Sequence, residues 1–505
     1  MQISHLLPNE IIPCEANQLV PLKLSARTED ITSDTLFFLT EGIRYDKSRL
    51  LPFIVAKRPL AIVVPIGTKT ESADIPIIYA ENVRRAYAEA YFRFCGLENT
   101  KMKFIAVTGT NGKTTTATMI AEILQQSGKH VGWIGTGKIL SDGKLLSDLY
   151  YSMTTPDPEI LYPMLKTMEE AGCEFVVMEA SSHALALEKL SPLLFEISIF
   201  TNLSKEHLDF HTDMEDYYLA KARLFKNTRL AILNNDDPYA RRLAEECKCK
   251  VLRAGAIFPA EITATNVESH GLGGCSYMYK TKGPKFFVHS ALPGVYHVYN
   301  SMLALSAAIA LGVPPCDAKQ YVEGIKIIPG RMHLVGETDV SVYVDYAHTP
   351  EALASALREA GSARGDGRAL WLIFGCGGER DRYKRPKMGK IAEDGADHVI
   401  LTLDNPRGES PMQIMKDTLY GIKKKKSVRI ISNRQKAIRY AILAMQRGDT
   451  LIIAGKGAEA YTIDKKGYHP FDERKIISDA LKERKGGHTV LYENQTDIQA
   501  LAKGD

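Results

Sequence analysis

Short, unbroken apolar runs recur along this chain, and almost every one ends in a cluster of glycine, asparagine or charged residues. Runs of four to seven apolar positions without polar alternation predict strands covered on both faces, as in parallel sheets. Such runs occupy residues 35–39 and 61–64, then 104–107, 174–180 and 231–234, while the strand-like stretch 194–200 sets Glu196 and Ser198 among its apolar residues. Five more follow at 341–345, 369–374, 398–403, 428–431 and 450–454. Between them lie helical patterns, at 83–94, at 116–126, around 217–225 and in the Ala/Leu-rich stretch 294–312. This β–α rhythm predicts an α/β protein. We read three domains: a smaller N-terminal α/β domain over 1–100, a central doubly wound parallel sheet over 101–330, and a C-terminal Rossmann-like sheet over 331–505. Hinges are expected near Thr100 and Gly330. There is no internal repeat and no low-complexity tract.

A length of 505 residues agrees with about three domains. The 64 basic and 60 acidic residues nearly cancel, which excludes a polyanion-binding field. The run Lys423–Lys426 reads as a solvated helix end, so no nucleic-acid partner is expected. Eight scattered cysteines fit reduced thiols and a cytoplasmic protein. No secretory leader and no run of about 18 apolar residues is found, so no membrane insertion is expected.

The chemistry concentrates where apolar runs end. The run 104–107 breaks into Gly109, Thr110, Asn111, Gly112, Lys113, Thr114 and Thr115, and a helical pattern follows. Strand, G-x-x-G-K-[ST] and helix together predict a phosphate-binding P-loop, although Val107 stands where the longer pattern has its leading glycine. Backbone N–H groups would surround phosphate oxygens, Lys113 would reach the β- and γ-phosphates, and the Thr114 hydroxyl would bind Mg²⁺. A nucleoside triphosphate is therefore the expected ligand. Glu179 closes a second buried run and is placed to hold a cation near those phosphates. After the stretch 194–200 come His207, Asp209 and His211, candidates for metal or substrate work. Four more polar clusters end strands of the third domain, at 345–348, 375–381, 404–407 and 455–459. Strand ends of one sheet converge, so these clusters are expected to share a pocket.

Taken together, the stretches TGTNGKTT, EASSHAL, TNLSKEHLDFH, YLAKARLF, IPGRMH, VDYAHTPEAL, DNPR and GKGAE resemble the Mur ligase family, most closely its MurE-type branch. The resemblance runs from the P-loop to near the C-terminus. It implies an ATP-dependent amide-bond ligase of peptidoglycan synthesis. Such an enzyme phosphorylates a substrate carboxylate to an acyl phosphate and then lets an amine displace the phosphate. By resemblance, ATP is held by residues 109–115 with Asn300, Arg331 and Asp345, while Thr114, Glu179 and His207 serve Mg²⁺. Lys113, Glu179, His207 and Lys221 are the implied catalytic group, and Lys221 matches the lysine that the family carbamylates with CO₂. His348 is read as supporting. Thr154, Thr155, Ser181 and Lys189 match contacts to a UDP-linked muramoyl dipeptide. Arg380, Asp404, Asn405, Pro406, Arg407, Gly455 and Glu459 match the pocket for the incoming amino acid.

An arginine in D-N-P-R pairs with the distal carboxylate of meso-diaminopimelate, which L-lysine lacks, so the resemblance implies that diaminopimelate is added to UDP-N-acetylmuramoyl-L-alanyl-D-glutamate, by a monomer. A paralogue with the same ATP chemistry and another acceptor or amino acid, such as L-lysine, is the alternative. A nucleotide-binding protein without ligase activity is a third reading. The departures from the family pattern lie mainly on the nucleotide-sugar side. Lys189 stands where arginine is usual, and Ser25-Ala-Arg-Thr-Glu-Asp-Ile31 replaces a D-S-R signature. His297 replaces an asparagine, Ala458 a histidine, and Glu473-Arg-Lys475 a D-R-E.

Overall fold

The computed structural model describes residues 1–40, 47–69, 74–147, 153–206, 208–363, 365, 367–423 and 428–486. The apolar run before the P-loop forms the strand Lys103–Thr108, and its alternate positions face two different cores. Ile105 and Val107 pack with the helix Lys113–Gln126 and the helix Tyr296–Ala310. Phe104 and Ala106 face the opposite layer, with Leu161 of the helix Pro158–Glu170 and Tyr217 of the helix Met214–Ala222. Apolar residues on both faces bury this strand from Phe104 onward, which is why it reads as a continuous run rather than an alternation.

This strand is at the centre of an eleven-stranded sheet. Phe195–Phe200 and Phe175–Glu179 flank it in parallel register, Phe200 opposite Thr108 and Glu179 opposite Val107. Val131–Gly135 continues the sheet beyond Phe175–Glu179, and Thr228–Asn234 and Lys250–Gly255 extend it on the other side. The expected parallel sheet is therefore the middle of a mixed one. Antiparallel wings close it at Lys138–Ser141 and Lys144–Ser147, and at Ile262–Ser269, Cys275–Lys280 and Lys285–Ser290. The hydrophobic pattern did not predict these wings, because their strands lack the continuous apolar run.

The N-terminal sheet is parallel, in the order Lys23–Ser25, Thr35–Phe38, Ala61–Pro65, Ile77–Ala80. Its helix Val83–Phe94 is capped by Asn82, whose side chain accepts from the Arg84 and Arg85 amides. Tyr87 of that helix donates to Glu159 in the central layer at 3.2 Å. The C-terminal sheet has the order His333–Glu337, Ser341–Asp345, Thr450–Ala454, Leu370–Phe374, His398–Leu401, Val428–Ile430. Only its first strand is antiparallel. Helices cover both faces, Pro350–Ala363 and Lys384–Gly395 on one, Arg434–Ala444 and Glu473–Lys485 on the other.

Candidate active site

Two sheets present the ends of their parallel strands to a shared cavity, and the P-loop lies at it. Gly109 (φ 147°) and Gly112 (φ 86°) adopt conformations that side-chain-bearing residues rarely enter. Space excludes a side chain as well: a Cβ on Gly109 would lie 1.9 Å from Thr201 Oγ1, and one on Gly112 would lie 2.5 Å from Asn300 Oδ1. The loop is held from the neighbouring strand end. Asn202 Oδ1 accepts from the Asn111 amide at 3.0 Å, and Thr201 Oγ1 donates to the Asn111 carbonyl at 2.6 Å. Thr110 Oγ1 lies 3.2 Å from the Tyr217 hydroxyl. These contacts leave the start of the helix Lys113–Gln126 open to an anion.

The two lysines of the site converge on one carbonyl. Lys113 Nζ donates to Gly109 O at 2.9 Å and Thr110 O at 2.8 Å, and Lys221 Nζ donates to the same Gly109 O at 2.8 Å. Lys221 is only 1% exposed, and its ammonium sits 4.7 Å above the Tyr217 ring. Burial, and then the charge of Lys113, hold the Lys221 amine well below its ordinary pKa, with Glu206 opposing. Burial likewise lowers Lys113, against the pull of Glu179 and Glu206.

Glu179 is buried at the end of its strand and gathers oxygen and nitrogen partners from three elements. Its Oε2 accepts from Thr114 Oγ1 at 3.0 Å and its Oε1 from the Thr136 amide at 3.0 Å. Arg331 Nη2 donates to Thr114 Oγ1 at 2.9 Å, so this residue touches the P-loop directly. A carboxylate and a hydroxyl beside a phosphate cradle are the hard oxygen donors that Mg²⁺ takes, together with phosphate oxygens and water. Among the described residues no three His, Cys, Asp or Glu side chains form a metal cage. His207 lies outside the described residues.

Asn300, Arg331 and Asp345 line a cavity of about 410 Å³ with Asn111, Gly112 and Thr115. Asp345 is buried and accepts from the Met332 amide at 2.6 Å and the Ala347 amide at 2.8 Å, while burial raises its pKa. Arg331 stacks on the Tyr346 ring at 4.4 Å. Asn300 accepts from Thr116 Oγ1 at 3.3 Å and lies 3.4 Å from His297 Nδ1. His297 is fully buried, and desolvation followed by Arg331 depresses its pKa to about 3.

A second cavity, of about 180 Å³, is shared by the two sheets. Thr110–Thr114, Glu179 and Asp209 line one side, and Arg380, Asp404, Asn405, Arg407, Gly455 and Glu459 the other. The Gly377–Gly378 turn zips onto the 404–407 segment: Gly378 N donates to Asn405 O at 2.9 Å, and Arg407 Nη1 donates to Gly378 O at 2.9 Å. Pro406 closes against this turn so tightly that a Cβ on Gly378 would fall 2.0 Å from its carbonyl. Burial, and then the charge of Arg380, lower the Arg407 pKa. Arg380 reaches across to Asp209 at 3.8 Å. Burial, and then the charge of Asp404, raise the pKa of Glu459.

Thr154, Thr155, Ser181 and Lys189 gather beyond the carboxyl end of the strand Phe175–Glu179. Thr155 Oγ1 donates to Glu179 O at 2.8 Å, and Ser181 caps its short helix through the Ala184 amide at 3.2 Å. Thr154 is within 3.4 Å of Thr136 Oγ1. Lys189 pairs with Asp157 at 2.7 Å and donates to Thr155 O at 3.4 Å.

One expected grouping comes apart. Asp209 faces the shared cavity, but His211 turns away into a pocket with His183, Phe210 and Tyr217, its Nδ1 3.2 Å from Asp216. Three residues that frame the site escaped the sequence reading. Thr136 lies after a strand that was not recognised. Glu206, whose Oε1 is 3.0 Å from His348 Nε2 and 3.8 Å from Lys384, and Lys456 both lie inside stretches that were quoted, but no pattern singled them out.

Residues 107–308 match the Mur ligase middle domain, and residues 330–457 the Mur ligase glutamate ligase domain. The UDP-N-acetylmuramoyl-L-alanyl-D-glutamate–2,6-diaminopimelate ligase of Clostridium tetani is 36% identical over 463 residues, covering 90% of this chain and 94% of that one. The ligase of the same name from Aquifex aeolicus is 35% identical over 467 residues, covering 91% and 93%. A solved structure of a UDP-N-acetylmuramoyl-L-alanyl-D-glutamate–2,6-diaminopimelate ligase superimposes with a TM-score of 0.67 at 31% identity, covering 97% of this chain and 100% of its own. A P-loop sheet joined to a second sheet at a shared cavity, with sequence likeness over nine-tenths of the chain, has one reading: the chain belongs to the Mur ligase family.

Proposed function

We propose that this protein is the ATP-dependent ligase that adds meso-2,6-diaminopimelate to UDP-N-acetylmuramoyl-L-alanyl-D-glutamate in peptidoglycan synthesis. The observation that carries the reading is the shared cavity. The P-loop and Glu179 meet Arg380, Arg407, Asp404 and Glu459 there, so a phosphorylated carboxylate and an amino acid can be brought together. The names of the relatives support the same reaction.

A carboxylate is a poor electrophile, so the acceptor oxygen first attacks the γ-phosphorus of ATP, releasing ADP and giving an acyl phosphate. The free amine of diaminopimelate then attacks the carbonyl carbon, loses its proton, and inorganic phosphate departs. Phosphoryl transfer depends on positioning and charge neutralisation. Residues 109–115 and the helix N-terminus cradle the phosphates, and Lys113 swings from its loop carbonyls to the β- and γ-oxygens. Asn300, Arg331 and Asp345 hold the nucleoside end. Thr114, Glu179 and His207 are the residues that would hold Mg²⁺, which would supply neutralisation of phosphate charge there. Lys221 is carbamylated: burial beside Lys113 favours its neutral amine, which adds to CO₂ and releases a proton. The resulting anion replaces a repulsion with Lys113 by an attraction.

Arg407 and Arg380 bind the distal carboxylate of the amino acid, Glu459 faces its ammonium, and Asp404, Asn405, Pro406 and Gly455 shape the pocket. Thr154, Thr155, Ser181 and Lys189 receive the UDP-linked peptide. The unit 1–100 holds its nucleotide, 101–330 performs phosphoryl transfer and 331–505 delivers the amino acid. Closure of the last two shields the acyl phosphate from water. We place the activity in the cytoplasm, as a monomer.

One observation favours a second reading, a ligase with a different acceptor: Lys189 replaces the usual arginine and is already paired with Asp157 at 2.7 Å. Lysine cannot reproduce the planar fork that arginine offers a pyrophosphate. Phosphate release with ATP, Mg²⁺ and the UDP-linked dipeptide, comparing meso-diaminopimelate with L-lysine, decides. Release with diaminopimelate alone supports the first reading; release with neither refutes it and points to another acceptor.

A further inference from the structure

Beneath the amino-acid side of the shared cavity lies a lysine that never reaches it. Lys456 is 0% exposed, and its ammonium is surrounded by the elements that build the pocket. Nζ donates to Asn405 Oδ1 at 2.8 Å and to the Tyr461 carbonyl at 2.8 Å, and pairs with Asp404 Oδ1 at 3.4 Å. Glu459 Oε2 is 3.9 Å away. An ammonium has three donors and tolerates full burial only when paired and hydrogen-bonded.

Each contact leads to a residue that lines the cavity. Asn405, anchored through Oδ1 by Lys456 and by the Ile463 amide at 3.1 Å, uses its Nδ2 to donate to Glu459 Oε2 at 3.0 Å. The Tyr461 carbonyl begins the strand Tyr461–Asp464, and the Ile463 carbonyl of that strand accepts from the Arg407 amide at 3.0 Å. Arg407 is held there at φ 50°, a conformation that needs support from its surroundings. Asp404 Oδ1 is buried and, among the described residues, Lys456 is the first of the cations that offset its charge, ahead of Arg434 and Arg407. Among the described residues, the close donors to the Glu459 carboxylate are the Asn405 amide and, at 3.3 Å, the Tyr346 hydroxyl.

We propose that Lys456 is the positioning residue of the amino-acid pocket: it offsets Asp404, and through Asn405 and the strand Tyr461–Asp464 it sets Glu459 and Arg407. Asp404 thereby becomes part of the scaffold, and Glu459 is left as the carboxylate that meets the substrate ammonium. The inference rests on the amino-acid pocket assigned above.

The test compares wild type, Lys456→Met, Asn405→Ala and the double variant by phosphate release. Saturation of the wild type by meso-diaminopimelate is measured first, and its absence refutes the assigned reaction. With the wild type saturable, Lys456→Met is expected to raise the KM for diaminopimelate roughly 30-fold or more, the usual consequence of breaking a buried charged contact. The KM for ATP should stay within twofold, and the double variant should be no worse than the poorer single one. A diaminopimelate KM within threefold of wild type, accompanied by a lower kcat alone, would mean a merely structural lysine and overturn the proposal. Additive losses would overturn the route through Asn405. Should the methionine variant not fold, Lys456→Gln, which keeps a donor beside Asn405 but no charge facing Asp404, is judged by the same limits.

Discussion

Removing the guanidinium of Arg407 tests the amino-acid assignment most directly. Among the described residues its side-chain hydrogen bonds run from Nη1, to Gly378 O at 2.9 Å and Asn405 O at 3.4 Å. Nε and Nη2 are therefore the edge available to a substrate carboxylate. An enclosed pair between a guanidinium and a carboxylate costs about 2–5 kcal/mol to break. Arg407→Ala also removes the tether to the Gly378 carbonyl, worth about 1 kcal/mol. We take the lower half of the range, because Arg380 lines the same cavity and can hold part of the carboxylate. At 1.4 kcal/mol per tenfold, a loss of about 3 kcal/mol is a rise of about 100-fold in the KM for diaminopimelate. The KM for ATP should stay within about twofold, since the cavity proposed for the nucleotide is lined by other residues. The preference for diaminopimelate over L-lysine should shrink by the same factor, because lysine never made the contact. The assay is continuous phosphate release, with each substrate titrated at saturating levels of the others. Equal losses for ATP and diaminopimelate, or an unchanged preference over lysine, would refute the pairing.

Lys221→Ala should lower kcat by at least about 100-fold and regain part of it with added formate or acetate; full activity in the plain variant would remove the carbamate from the mechanism. Glu473→Ala leaves Arg434 buried without its 2.6 Å partner, and urea denaturation should show a loss of about 3–5 kcal/mol; a loss under 1 kcal/mol would contradict the burial. His297 stays neutral in the folded protein down to about 3, whereas it protonates near 6.5 when unfolded. The unfolded state thus takes up the proton first, and stability should fall as pH drops from about 6.5 toward 3, by at most about 1.4 kcal/mol per pH unit. His297→Asn should flatten that part of the urea-midpoint profile, and an unaltered slope would refute the assignment.

What this chain's residues determine locally was legible without coordinates. The runs that became Lys103–Thr108 and Phe175–Glu179 are apolar on both faces, so their burial is written into each segment alone. Gly109 and Gly112 announce a loop that no other residue could form, and Glu179 is at a strand end because the apolar run stops there. Placing those ends side by side took the tertiary structure. Sheet order is a choice among long-range pairings that no window of sequence contains. It sets Phe195–Phe200 and Phe175–Glu179 on either side of Lys103–Thr108, and so brings Asn202 and Glu179 to opposite flanks of the P-loop. The half-exposed wings from Ile262 to Ser290 carry no continuous apolar run, and only pairing along the sheet defines them. His211 and Asp209 are two residues apart, yet packing sends one inward against His183 and the other to the shared cavity. The same holds for Lys456, which no pattern singled out, and for Lys221, which only the family resemblance distinguished from a plain helical lysine. Their chemistry comes from burial beside other charges, a property of the neighbourhood that the assembled fold creates and the residues themselves do not possess.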